Sequence, residues 1–408
     1  MGVTIGYQKT EVGVIPNDWE VTEMSTTCKL INGRGFKPFE WKKEGLPIIR
    51  IQNLNGSNEF NYYDGVYDKK IEIENNQLLF AWSGSRGTSF GPHIWKGGKG
   101  VLNYHTWKVN VYENKIHREF FLHTLKVLTK QIEDSAHGAS ALVHVQKWEI
   151  EKVKFAIPKS KTEQAAIAAA LSDADTLITS LKKLIAKKRL IKQGVMQKLL
   201  DPKEGWKEKT LFEIADNKKA LFDDGDWIEA EHITDKGIRL IQTGNIGVGE
   251  FLDRESKKYI FPKSFTDLKC KEIYEGDLLI CRLADPAGRA CVLPDIKESK
   301  IITSVDVTIF RPRNEVANRV FLSNLFSTNN WLRKVGEMTG GTTHKRISRG
   351  ALGRIKISLP SIQEQNEIAA ILFDMDNEIK VIHNKLQKVR LQKQGMMQTL
   401  LTGKIRLI

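Results

Sequence analysis

Apolar side chains recur at Ile167, Leu171, Ala174, Ile178, Leu181 and Ile185, and again at Ile368, Leu372, Met375, Ile379, Ile382, Leu386 and Val389. The steps alternate four and three, the spacing that turns one stripe of a helix toward a partner helix. Two long helices are therefore predicted, and they are copies of each other. Residues 163–200 and 364–401 overlay without a gap, with about half the positions identical. Asp201-Pro202 stops the first copy, and Gly403 stands just past the second. Pro158 and Pro360 precede the two starts, where the chain is still extended.

Connectivity sets the expected direction. One block of chain precedes the first helix, and a second block separates the two. If the helices pair within one chain they must run antiparallel, which places the blocks at opposite ends of a rod. At about 1.5 Å per residue, a 38-residue helix spans about 57 Å. Two unrelated surface helices, or a coil between chains, remain the alternative. Lys188, Lys192 and Lys393 interrupt the stripe, so the far end of each helix is expected to face something other than its twin.

The blocks themselves show short strand-like runs between Gly- and Asn-rich turns. In the first, 47–51, 77–80 and 153–158 read as strands and 120–132 as a helix. The second repeats the plan with weaker identity. Trp206 stands where Trp19 stood, 237–242 echoes 45–50, 276–280 echoes 76–80, and 321–335 matches the helix. The predicted organisation is a block at 1–158, a helix at 159–203, a block at 204–360 and a helix at 361–408. The fold class is α+β: two similar mixed α/β domains joined by an antiparallel intramolecular coiled coil, with pseudo-twofold symmetry.

Charge changes the picture from scaffold to binder. The 408 residues carry a net charge of +14 and a pI near 9.4, which points to a polyanionic partner. No apolar run approaches a membrane span, the N-terminus has no secretory core, and no lipidation signal is complete. Cys28, Cys270, Cys281 and Cys291 are too scattered for a disulfide framework or a zinc site, which suits a reducing cytoplasm. No phosphate-loop or HExxH string occurs. Pro294, Asp295, Glu298 and Lys300 superficially suggest a nuclease motif. They lie within seven residues, whereas metal catalysis needs carboxylates converging from separate elements, so a solvated turn is the better reading. No catalytic residue and no metal ligand is expected. Asp173 and Asp175, like Asp374 and Asp376, are polar neighbours of the seam or partner contacts rather than an acid/base pair.

What remains is binding chemistry in loops that mix Gly, hydroxyls and cations. Such loops lay N–H groups and charges on phosphates, and their Arg, Asn, Gln and Lys side chains fit base edges. In the first block the candidates are Arg34, Lys37, Gln52, Asn53, Ser83, Ser85, Arg86, His144 and Lys147. In the second they are Lys218, Lys219, Asn245, Arg282, Arg289, Thr342, Thr343, His344, Lys345 and Arg346. The frames of the two blocks agree while these polar loops differ, which suggests two readers of two different surfaces. A protein-assembly scaffold without direct DNA readout is the alternative.

The repeated plan, the opening EVGVIPNDWEV at 11–21 and the EQ-x-x-IA helices ending KQG-x-MQ-x-LL resemble the specificity subunits of bacterial and archaeal type I restriction–modification systems. The resemblance runs the length of the chain. It implies that each block is a target recognition domain reading one half of a bipartite, asymmetric double-stranded DNA sequence. It implies that the helices set the spacing and dock two modification (methyltransferase) subunits, with restriction subunits able to join. S-adenosylmethionine, ATP and magnesium would then bind those partners, and this subunit would be non-catalytic. No NPPF or DPPY string of an adenine methylase is present. Base-contacting residues vary in this family, so the site candidates rest on loop chemistry alone.

Overall fold

The structure is a computed structural model that describes residues 5–135, 142–341 and 345–407. It divides into two compact units, one of Met1–Lys182 with Asn384–Ile408 and one of Lys183–His383.

In the first unit, strand Trp19–Glu23 pairs antiparallel with Lys154–Pro158, which brings the block's two ends together just before the helix Lys161–Leu199. Two four-stranded sheets fill the block. One is antiparallel, in the order Gly91–Ile94, Leu78–Ala81, Thr106–Val111, Cys28–Asn32. The other is mixed, in the order Asn61–Tyr63, Leu46–Ile49, Gly100–Leu102, Glu72–Ile73. Strand Leu78–Ala81 is buried throughout because it separates two cores. Period-two alternation sends Leu78 and Phe80 to one core and Leu79 to the other. Helix Arg118–Ser135 closes the first core with Phe120, Phe121, Leu125 and Leu128.

The second unit repeats this design. Lys207–Thr210 pairs with Lys356–Leu359. The antiparallel sheet runs Phe222–Asp224, Val307–Phe310, Leu278–Cys281, Ala290–Val292, and the mixed sheet Ile233–Thr234, Lys258–Ile260, Ile238–Ile241, Ile301–Thr303. Leu278 and Ile280 again face one core, Leu279 and Cys281 the other. One expectation needs correction. The helical stretch 321–335 is two helices, Arg319–Leu325 and Asn329–Glu337. Thr328 stops the run by accepting a hydrogen bond from the Trp331 N–H and so capping the second helix.

Both long helices form, as Lys161–Leu199 and Ile362–Leu400. Within the first unit Ile167, Ala168 and Leu171 share a core with Leu400 and Leu401, and Asp175 meets Lys393 at 2.5 Å. Within the second, Lys188 meets Glu378 at 2.6 Å, Lys192 meets Asp376 at 2.6 Å, and Lys203 meets Glu364 at 3.1 Å. Rising numbers on one helix meet falling numbers on the other, so the helices run antiparallel within each unit. Of the stripe, Ile167, Leu171, Leu181, Ile185, Ile368, Leu372, Leu386 and Val389 are buried, and Ile178, Ile379 and Ile382 are half-buried. Lys188, Lys192 and Lys393 do not turn away from the twin helix. Their long stems bring each ammonium to a carboxylate on it.

His123, on helix Arg118–Ser135, is 1% exposed and sits 3.2 Å from the Ser172 hydroxyl of the long helix. Burial first, then the charges of Lys126 and Lys393, push its imidazole down to about 4. An unfolded histidine takes its proton near pH 6.5, so acid favours the unfolded chain between those two values. The first unit should lose stability through this window, by on the order of 2 kcal/mol at about pH 4.5 from this group alone. His123→Leu removes the titration, so its melting temperature should fall less between pH 7 and 4.5 than the parent's. Parallel falls would show that His123 is not held neutral.

Candidate nucleic-acid interface

Each unit presents polar side chains where the mixed sheet ends. In the first, strand Leu46–Ile49 runs into the short helix Ile51–Leu54. Asn53 caps that helix: its Oδ1 accepts from the Arg50 N–H at 3.0 Å, and its amide donates to the Ser57 and Glu59 carbonyls. Asn53 is therefore buried as a scaffold residue, while Gln52 beside it is exposed. Asn245 does the same work in the second unit, accepting from the Gln242 N–H at 3.0 Å and donating to the Leu252 carbonyl at 2.9 Å. Neither asparagine offers its side chain to a ligand, which corrects the expectation for both.

A close backbone approach shapes the same end of the sheet. A Cβ on Gly33 would lie 2.1 Å from the Asn103 carbonyl oxygen, and one on Gly225 would lie 2.3 Å from that of Ser304. Only glycine fits at these two positions. The approach lets the Arg34 N–H donate to the Leu102 carbonyl, and the Asp226 N–H to that of Thr303. The Arg34 guanidinium pairs with Glu40 and lies over the Phe36 and Tyr63 rings, at 4.8 and 5.0 Å from their centroids.

The remaining first-unit candidates scatter along one strand pair and its flanks. Ser83–Ser85 pairs antiparallel with Leu142–His144, opposing Ser83 to His144. Ser85 and Arg86 belong to a tight loop: the Ser85 N–H donates to the Ser89 hydroxyl, and Arg86 reaches the Glu133 carbonyl. Lys37 is exposed, and Lys147 lies 3.6 Å from Glu151 one helical turn on. The structure also brings in residues that loop chemistry did not single out. Arg50, Asn103, His105 and Thr106, together with the expected Gln52, line a cleft of about 100 Å³. His105 packs its ring 3.7 Å from that of Tyr104, and Trp82 donates to the Tyr104 carbonyl at 2.9 Å. Burial, then nearby His144, hold the His105 imidazole below its ordinary pKa. These positions lie at strand ends rather than in Gly-rich loops, and only alignment of one block on the other marks them.

In the second unit two arginines leave the candidate surface. Arg282 is 2% exposed, 3.1 Å from Asp224, with its Nη2 donating to the Val305 carbonyl. Arg289 spends its guanidinium on the carbonyls of Ile246, Thr243, Leu283 and Pro286. Both brace loops from inside, so neither reaches a base edge. Lys218, Lys219 and Lys345 are exposed, and Arg346 is exposed with its Nε 2.9 Å from Asp306. Thr342, Thr343 and His344 lie outside the described residues. No group of three or more His, Cys, Asp or Glu able to hold a metal occurs among the described residues, and no helix of theirs is long and apolar enough to cross a membrane.

Comparison with known proteins fits this doubled arrangement. Residues 16–188 and 203–391 each match the type I restriction modification DNA specificity domain. Over 96% of its length the chain is 26% identical to the type I restriction enzyme MjaVIII specificity subunit of Methanocaldococcus jannaschii, covering 94% of that protein. It is 23% identical to the EcoBI specificity subunit of Escherichia coli, over 96% of this chain and 87% of that one. Among solved structures, the type I restriction-modification S subunit of M. genitalium overlays with a TM-score of 0.58 at 17% identity, covering 94% of this chain and 96% of that one. A chain from work on complex assembly and conformational transition of the type I R-M system gives 0.60 at 14% identity, covering 96% and 99%. At these identities the overlays establish the fold.

Proposed function

Because this chain belongs to the type I restriction–modification DNA specificity family, we propose that each unit reads one half of a bipartite duplex target while the long helices dock methyltransferase subunits. The observation that carries this reading is the double family match, over residues 16–188 and 203–391, on units whose frames agree and whose exposed polar positions differ. A subunit reading one continuous or palindromic site would need no second, dissimilar reader. Net charge of +14 suits a phosphate-lined partner.

Chemistry then belongs to the partners, which bring S-adenosylmethionine, and ATP with magnesium where restriction subunits join. The complex works in the cytoplasm, where its DNA is. Exposed apolar side chains on the long helices support partner docking: Leu190, Phe373 and Val381 in the second unit and Leu391 in the first are each more than half exposed. Isolated exposed leucines are ordinary, but Leu190, Phe373 and Val381 on the two helix segments of the second unit offer apolar surface that a partner helix can cover.

Exchanging residues 1–158 for the matching block of another family member tests the reading. With methyltransferase subunits present, methylome sequencing should show one half-site replaced and the other kept. Both halves changing together, or neither, would reject it. A protein-only scaffold gives a third pattern: no DNA band shift by the assembled complex at any salt, where the proposed reader binds tightly and weakens as salt rises.

A further inference from the structure

Matched strand by strand, the two units share a frame, and their side chains differ at the end of the mixed sheet. Arg50 and Gln242 both open the capped turn, and Asn53 and Asn245 both close it. Gly33 and Gly225 make the same approach to the strand end. The Val145 N–H donates to the Trp82 carbonyl, and the Ile347 N–H to that of Arg282. These contacts fix a one-to-one correspondence for six positions around the end of the mixed sheet. Arg34 answers to Asp226, Gln52 to Gly244, Trp82 to Arg282, Asn103 to Ser304, His105 to Asp306, and His144 to Arg346. Five of the six differ in chemical type, and the sixth pair, Asn103 and Ser304, is uncharged and polar in both.

The chemistry left unused there differs as well. In the first unit, the Gln52 and Asn103 amides make no hydrogen bond among the described residues. The buried His105 Nδ1 and Thr106 Oγ1 in the same cleft have no partner either. A buried polar atom left unpaired costs stability, so a cleft holding two of them beside two free amides suits a polar visitor. In the second unit, Arg282 and Asp306 fill the equivalent space with an internal ionic cluster. Arg346 stands at its rim, 43% exposed at the side chain, held through Nε by Asp306. Its two terminal nitrogens have no partner among the described residues, and they form the fork that fits the O6 and N7 of guanine.

We propose that this sheet-end surface is the base-reading site of each unit: Gln52 and Asn103 read base edges for the first, and Arg346, oriented by Asp306, reads a guanine for the second. This rests on the DNA-recognition reading above and names where that recognition happens. Amide side chains carry a donor and an acceptor and match adenine N6 and N7 most closely, whereas a guanidinium fork matches guanine. The exposed Lys218 and Lys219 belong to a different class. They can touch phosphate, and their loss weakens binding to all sequences alike.

Methylome sequencing of cells carrying the whole complex tests the assignment, with band shifts on duplexes mutated one base at a time. Arg346→Lys keeps the charge and loses the fork. It should relax one guanine of the second half-site by about 10- to 100-fold in discrimination and leave the first half-site unchanged. Gln52→Ala with Asn103→Ala should relax the first half-site only. Lys219→Ala should lower affinity without changing a letter. A second half-site that contains no guanine overturns the assignment, and so does Arg346→Lys with every letter preference intact. If Arg346→Lys fails to assemble, Asp306→Asn, which frees the same guanidinium, carries the same expectation. Failure of the parent complex to prefer any sequence would sink the DNA-recognition reading itself, a result these variants do not imitate.

Discussion

Gln164→Leu should cost the first unit about 3 kcal/mol, and Gln365→Leu should do the same to the second. Each glutamine is 1% exposed and is the second letter of the repeated Glu-Gln pair. The Gln164 amide donates to the Pro158 carbonyl at 2.7 Å, and its oxygen accepts from the His117 N–H at 2.7 Å. Gln365 donates to the Pro360 carbonyl at 3.1 Å and accepts from the Asn318 N–H at 3.0 Å. One side chain thus ties the end of the closing strand, the start of the core helix and the first turn of the long helix. Leucine fills similar space but leaves a carbonyl and an N–H without partners, and each such group costs about 1–3 kcal/mol. Hydrogen exchange read unit by unit should show faster exchange around 117–121 in the first variant and around 318–322 in the second. A loss spread evenly over both units, or melting unchanged within a degree, would show that these bonds carry no weight.

That pair of bonds marks how far the sequence could be read. The seam was legible because local spacing alone sets which face a helix buries, and all thirteen stripe positions are buried or half-buried. The blocks' common plan was legible because strands and turns announce themselves over four to eight residues. The glutamine bonds were not, since His117 lies 47 positions before Gln164, and Asn318 lies 47 before Gln365. Arg282 misled for a related reason. An arginine near Gly and Pro reads as a solvent loop, and only the fold reveals Asp224, 58 positions earlier, packed against it. Lys188, Lys192 and Lys393 look like breaks in the sequence, because a lysine at a seam is misplaced until a carboxylate stands opposite it. The proposed base-reading surface is the hardest case. Arg34, Gln52, Trp82, Asn103 and His144 come from five separate segments, and only sheet closure collects them.

Identical letters in the repeat also hide unequal roles, and this yields the second large effect. Removing the Arg406 guanidinium, as in Arg406→Met, should destabilise the first unit by about 3–5 kcal/mol, because it strands a buried carboxylate. Glu163 is 1% exposed; it accepts from the Trp19 indole at 3.2 Å and from Arg406 at 2.5 and 2.8 Å. Arg406 continues to Asp18 at 2.6 and 2.9 Å, so both partners raise its pKa and hold the residues after the second helix against the opening strand. Glu364, the counterpart of Glu163, is met instead by Lys203 at 3.1 Å, with the two side chains 35% and 49% exposed. Water screens that pair, and Glu364→Gln should cost less than about 1 kcal/mol. Raising salt should narrow the small loss at Glu364 and leave the large one at Arg406 almost unchanged, since a buried pair is poorly screened. Thermal melts of both variants at low and high salt read this directly. Equal losses at the two sites, or a loss at Arg406 that salt abolishes, would mean that the Glu163–Arg406 pair is as solvated as its counterpart and that the tail of the chain is not what closes the first unit.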